Sequence, residues 1–182
     1  MVEIANAVGS GDTGVELDIA EVEVDLPVPY TEYDPDNSHV LYVRLVEDGP
    51  LITLFRSGKY LISGCSSFEE SYETNRAFLQ TLAELKIIDS SLETGFTVQN
   101  VVCTGELQRS VNLNALSIGL GLEAVEYEPE QFPGLIYRPP DFPAVLLVFA
   151  NGNAVITGAA DVETAEEAFD HLHTKVEGLL AG

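Results

Sequence analysis

The sequence predicts an α+β fold made of two tandem copies of one unit, each with antiparallel strands and its helices on one side. Three observations predict it. The chain matches itself at a constant offset of 94 positions, without a gap. The dipeptides Ser57-Gly58 and Asn151-Gly152 fall at equivalent places between β-rich runs, where hairpin turns belong. Each copy closes on a long segment, 66–86 or 161–180, whose apolar residues recur near the helical period.

The offset aligns Asn6 with Asn100, Val8 with Val102, Gly11 with Gly105, and Glu32-Tyr33 with Glu126-Tyr127. It goes on to align Leu41 with Leu135, Arg44 with Arg138, Phe55 with Phe149, and Ile62-x-Gly64 with Ile156-x-Gly158. Chance does not hold one offset over so many identities, so the expected domains are 1–93 and 94–182. Each copy starts with a strand, "EIANAVGSG" or "TVQNVVCTG". A short amphipathic helix follows, "ELDIAEVEVDL" or "NLNALSIGLGL". Three strands joined by tight turns come next: "HVLYVRLV" and "LITLFRSGKYLISG" in the first copy, "GLIYR" and "AVLLVFANGNAVITG" in the second. In the first closing helix, Phe68, Tyr72, Phe78, Leu79, Leu82 and Leu85 form the expected apolar stripe. Ser66 or Ser67, and Asp161, are the expected N-caps.

Thirty acidic residues against eight basic ones give a net charge of −22 over 182 residues. The acids are spread along the chain rather than gathered in a tail, which suits a carboxylate-coated protein of a salt-rich cytoplasm better than an acidic partner-binding surface. No segment is long and apolar enough to span a membrane, and the N-terminus has no leader-like pattern, so a cytoplasmic, nucleoid-associated location is expected. Cys65 and Cys103 lack metal spacing and read as reduced thiols. His171-x-His173 points its rings apart on a helix, and Glu126, Glu128 and Glu130 lack cation-loop spacing, so no metal is expected. There is no phosphate-binding glycine loop and no Ser/His/Asp arrangement. Neither an enzyme nor a cofactor or small-molecule substrate is expected.

The acids avoid the strands. Positions 51–68 and 142–160 contain no Asp or Glu. Strand parity places Asn6, Val8 and Ser10 on one face with Thr53, Phe55, Lys59, Leu61 and Ser63. The second copy repeats the set as Asn100, Val102, Thr104, Leu147, Phe149, Asn153, Val155 and Thr157. The alternate residues, including Leu54, Ile62, Val148 and Ile156, are apolar enough to cover the helices. The first set therefore forms a second apolar face with no chain left to cover it, and a patch of that size is a binding surface. Phe132 in "EYEPEQFPGLIYR" sits at a turn tip where nothing obvious buries it.

"VQNVV", "YEPEQFPGLIYR", "VLLVFANGNAVITGA" and the duplication together resemble the TATA-box-binding protein family over essentially the whole chain. The first copy matches more loosely, through "NAV", "YDP" and "LFRSGKYLISG". The resemblance implies a saddle with a ten-stranded antiparallel concave sheet and four convex helices. It implies a general transcription factor of archaeal type that binds the minor groove of A·T-rich promoter DNA, bends it and recruits transcription factor B. It assigns Asn6 and Asn100 to the central base pairs, with the hydroxyls of Ser63 and Thr157 beside them and Ser10 and Thr104 on the same face. It assigns Val8, Val102, Leu61, Val155 and Leu147 to an apolar floor, with Thr53 as a departure from it. Arg44, Arg138 and Lys59 become phosphate contacts, and Glu128 and Glu130 contacts to transcription factor B. Two phenylalanines per repeat, seventeen residues apart, wedge between base steps in this family. Phe132 and Phe149 fit as one pair, whereas seventeen residues before Phe55 stands Ser38. Two other readings of the same surface are a protein-interaction module or diverged regulatory paralogue with weak or no bending, and a saddle of the nuclease or glycosylase type. The latter lacks the catalytic domain it would need.

Overall fold

The computed structural model describes residues 1–90 and 92–181 of the chain, with the side chain of Ala181 excepted; Ser91 and the last position of the expected second domain, Gly182, lie outside the described residues. It divides into two compact units, one of residues Asn6–Gln99 and one of Met1–Ala5 with Asn100–Gly182. Strand β1 (Val2–Asp12) gives its first residues to the latter and the rest to the former.

In the first unit β1 is followed by α1 (Ile19–Asp25), β2 (Tyr30–Tyr33), β3 (Val40–Arg44), β4 (Leu51–Phe55), β5 (Lys59–Cys65) and α2 (Phe68–Glu84). The second unit repeats this order as β6 (Thr97–Glu106), α3 (Leu113–Leu120), β7 (Val125–Glu126), β8 (Leu135–Tyr137), β9 (Val145–Val148), β10 (Asn153–Ala159) and α4 (Val162–Ala181). The strand orders are β2-β3-β4-β5-β1 and β6-β10-β9-β8-β7, with antiparallel pairing in both. The expected class stands: α+β, with ten antiparallel strands and four helices among the described residues. Reading the residues yields four strands per copy; the fifth, β2 or β7, is only four or two residues long and shows no alternation of its own.

The helix starts follow capping chemistry. Asp18 accepts the Glu21 N–H at 3.2 Å, so α1 begins three residues later than its amphipathic pattern. Ser67, not Ser66, caps α2 by accepting from the Glu70 N–H at 3.0 Å, while the Glu70 carboxylate accepts from the Ser66 N–H at 2.7 Å. Asp161 accepts the Thr164 N–H at 2.7 Å at the start of α4.

Helix α2 packs against β5 and α4 against β10. The expected stripe on α2 needs correction. Phe78 and Leu82 are buried, but the rest of the buried face is Ser71 and Asn75, and Tyr72 is 41% exposed. A polar residue survives there because the Tyr60 hydroxyl donates to Asn75 Oδ1 while sharing a 2.7 Å hydrogen bond with Thr94 Oγ1. Burial pushes the Tyr60 phenol up, so it stays a donor.

The two copies fill this part of the core differently. A side chain at Gly11 would meet the Tyr60 ring at 2.6 Å; one at Gly105 would meet Phe169 at 2.7 Å. At the 94-residue offset, Tyr60 and Asn75 correspond to Ala154 and Phe169. One aromatic ring occupies the space beside the glycine in both units. It comes from the strand in the first and from the helix in the second, with a small or polar residue opposite, so packing density is kept.

Candidate nucleic-acid interface

Along β1, β3–β6 and β8–β10, buried residues alternate with partly open ones, whereas β2 and β7 contain no buried residue. Leu41, Val43, Ile52, Leu54, Tyr60 and Ile62 are buried on the helix side, as are Leu135, Leu146, Val148 and Ile156 in the second unit. The opposite face is only partly covered. Asn6, Val8, Ser10, Thr53, Phe55 and Ser63 are half-buried and Lys59 and Leu61 exposed. In the other unit Asn100, Val102, Leu147, Phe149, Val155 and Thr157 are half-buried and Thr104 exposed.

Register turns these residues into rows. In the first unit Ser10, Leu61, Thr53, Tyr42 and Glu32 are successive cross-strand partners. In the second the row is Thr104, Val155, Leu147, Ile136 and Glu126. The rows correspond member by member at the 94-residue offset. Tyr42 and Ile136 belong to this face, and sequence reasoning missed them. Their signal was present, since each alternates with buried residues in a run already recognised as a strand.

The acids correct one expectation. The inner rows are free of them, but Glu32 and Glu126 end the rows on β2 and β7, and Asp12 and Glu106 pair with Lys59 and Asn153 near the ends of β1 and β6. Acids therefore edge the face. They also engage its cations. Arg138 lies 3.3 Å from Glu126, while Arg44 donates to the Gly49 carbonyl and rests over the Tyr30 ring at 5.9 Å. Lys59 forms no ion pair among the described residues.

Asn6 and Asn100 are held alike. The Gly64 N–H donates to Asn6 Oδ1 at 2.7 Å, and the Gly158 N–H donates to Asn100 Oδ1 at 3.1 Å. A backbone N–H can only donate, so the amide oxygen is the anchored atom and the NH2 group is the free one. Gly64 and Gly158 have φ of +83° and +78°, a conformation that costs residues with a Cβ about 1–2 kcal/mol. They stand where β5 and β10 lose regular register with β1 and β6. The bulge turns each glycine N–H toward the asparagine. Sequence reasoning did not single out these glycines as holding the asparagines, although the repeated Ile-x-Gly carries their signal.

Phe132 sits on a turn in which the Glu128 carbonyl accepts from the N–H groups of Gln131 and Phe132, at 2.9 and 3.0 Å. The Glu128 and Glu130 side chains are exposed on that loop. Phe132 is 36% exposed and meets Phe149 edge-to-face, with ring centroids 5.9 Å apart. The first unit repeats the turn, with the Asp34 carbonyl accepting from Asn37 and Ser38 at 3.3 and 2.9 Å, but it presents a serine.

Two open, repeat-related faces with anchored asparagines fit the family model for transcription factor TFIID (or TATA-binding protein, TBP), which matches residues 1–85 and 95–179. The chain belongs to the TATA-binding protein family of transcription factors. It is 63% identical to TATA-box-binding protein C of Halobacterium salinarum over 98% of this chain and 99% of that one. It is 42% identical to the TATA-box-binding protein of Natronomonas pharaonis, over 100% and 96%. The solved structure of Methanococcus jannaschii TBP matches with a TM-score of 0.82 and 34% identity, covering 97% of this chain and 98% of that one. Among the described residues, no helix is long and apolar enough to cross a membrane, and no cluster of three metal-ligating side chains occurs.

Proposed function

We propose that this TBP-family chain binds the minor groove of A·T-rich promoter DNA through its open strand face, bends the DNA, and recruits transcription factor B in the cytoplasm, at the nucleoid. The repeats acting on the two halves of the site are 1–93 and 94–182. The paired asparagines carry the reading. Each has its carbonyl fixed and its NH2 free on an apolar face, and the minor groove of an A·T pair offers only acceptors, adenine N3 and thymine O2. A donor in that position serves both A·T orientations.

The other roles follow from chemistry. Val8, Val102, Leu61, Val155 and Leu147 form a floor that cannot hydrogen-bond a guanine amino group, so G·C pairs lose that group's water without replacement. Ser10, Thr104, Thr53, Ser63 and Thr157 supply small hydroxyls at the same depth. Arg44, Arg138 and Lys59 reach for phosphates, Arg138 after releasing Glu126. Phe132, Phe149 and Phe55 wedge between base steps, at a cost of about a few kcal/mol per step, and bent DNA then covers more of the floor. Glu128 and Glu130, exposed beside the Phe132 turn, meet transcription factor B.

The test is fluorescence anisotropy in molar KCl on three short duplexes: a TATA site, the same site with I·C pairs, and one with G·C pairs. Inosine lacks the minor-groove amino group, so the I·C duplex should bind like TATA while the G·C duplex fails. Equal binding to all three, or to none, would end this reading and hand the face to a protein partner.

A further inference from the structure

Helix α3 lacks the acids that coat the other helices. Helix α1 bears Glu21, Glu23 and Asp25, while α2 and α4 bear four and five acids. From Ser110 to Leu122 the chain has no charged residue, whereas the equivalent stretch of the first copy, 16–28, holds five acids. Inward, α3 buries Leu113, Leu116 and Ser117, and it packs against β7, β8 and α4. Outward, Ala115 and Ile118 are exposed, and Leu122 follows just past the helix; Ile118 and Leu122 are each 72% exposed. The end of α4 extends this surface. Leu179 lies across Gly119, where a Cβ would be 2.4 Å from it, and Leu180 is 57% exposed. At the 94-residue offset Gly119 becomes Asp25 and Leu180 becomes Lys86, so the first copy puts charges where the second has an apolar patch. A helix that is apolar all round belongs in a covered place, and this one is open on its outer side.

We propose that this patch pairs two copies of the chain, α3 against α3 about a twofold axis, leaving the open strand face free. Charge selects a second copy as the occupant. With thirty acids to eight bases, most of this surface repels another like it, but here two copies can meet without burying a carboxylate. The rim selects it too. Arg109 lies 3.1 Å from Glu177, and His173 lies 3.8 Å from the same carboxylate, beside the Val111 and Val176 that line the groove between α3 and α4. A twofold pairing sets each side of the rim against the opposite side of its copy, which requires both signs at once. A strongly basic or acidic partner would instead match a rim of one sign. The area is on the order of a few hundred Å² per copy, so the pairing is micromolar and concentration-dependent rather than permanent. The charge of −22 on each copy opposes it at low salt. Raising KCl shortens the screening length from about 10 Å at 0.1 M to about 3 Å at 1 M, so the dimer should gain as salt rises.

The test is sedimentation velocity on the full-length protein without DNA, from about 1 to 300 μM, in low and in molar KCl. A monomer–dimer equilibrium should appear in molar KCl and shift toward monomer at low KCl. Ile118→Glu should weaken the dimer at least about tenfold, because each copy would then bring an unpaired carboxylate into the contact. Leu122→Gln, which lies outside the helix and cannot disturb it, should weaken the dimer as well, with circular dichroism confirming that both variants are folded. Val24 stands at the position equivalent to Ile118 and is 83% exposed, so Val24→Glu should leave the dimer unchanged. Leu61→Glu, on the open strand face, should also leave it unchanged. A chain that stays monomeric at every concentration in molar KCl overturns the proposal. So does a dimer untouched by both Ile118→Glu and Leu122→Gln, or one abolished by Leu61→Glu, which would move the contact to the strand face. Each of these results leaves the DNA-binding reading standing, since none of them involves DNA.

Discussion

Asn100→Asp separates anchoring from recognition, because aspartate keeps the shape and the oxygen but has no donor. The Gly158 N–H, 3.1 Å from Asn100 Oδ1, still finds an acceptor, now a charged one, so the bulge should hold. What disappears is the NH2 group. A base acceptor left unpaired in a closed interface costs about 1–3 kcal/mol, roughly 5- to 150-fold in affinity. A carboxylate facing adenine N3 or thymine O2 adds repulsion, so a loss of about 100-fold is expected on TATA DNA. The thermal midpoint, followed by circular dichroism at the same KCl concentration, should stay within about 2 °C, since the cross-strand hydrogen bond persists. Asn100→Ala is the contrast, because it removes the acceptor too and should lower both affinity and midpoint. Binding of Asn100→Asp within about twofold of the unsubstituted protein would refute the assignment of Asn100 to the bases, whatever else the face does.

Charge leads to a second expectation. With Arg138 tied to Glu126 and acids edging the face, few phosphates can be neutralised, so DNA affinity should persist or strengthen as KCl rises toward molar. A steep loss between low and moderate salt in an anisotropy titration would contradict this. The exchanged core predicts that Phe169→Asn costs about 3–5 kcal/mol, on the order of 10 °C in midpoint, while adding Ala154→Tyr recovers more than half by recreating the Tyr60–Asn75 arrangement. No recovery would show that the units are not interchangeable there. Hydrogen bonds from the Thr164 backbone and side chain hold the Asp161 carboxyl below the usual carboxylate range. A folded pKa below the unfolded one contributes stability above the unfolded value and loses it as pH falls through the folded one. Asp161→Ala should thus lower the midpoint at neutral pH, and the difference should vanish in acid.

The duplication, the fold class and the open face could all be read from the sequence, because each rests on periodicity: an offset of 94 for the copies, 3.6 for helices and 2 for strands. Wherever that period was the whole argument, as at Asn6, Val8 and Ser10 or at Leu147 and Phe149, the structure agrees about which residues share a face. What the sequence could not supply depends on pairing between distant segments. The Gly64 N–H meets Asn6 only because a bulge in β5 slips register against β1, and no local pattern states how two strands align. The contact of Tyr60 with Asn75 joins β5 to α2, and no pattern within either element places that hydroxyl against that amide. The edging acids became visible when short strands without alternation, β2 and β7, were paired to their neighbours. Periodicity is a one-body property of the chain, whereas register, volume exchange and anchoring are relations between residues, and tertiary structure alone decides them.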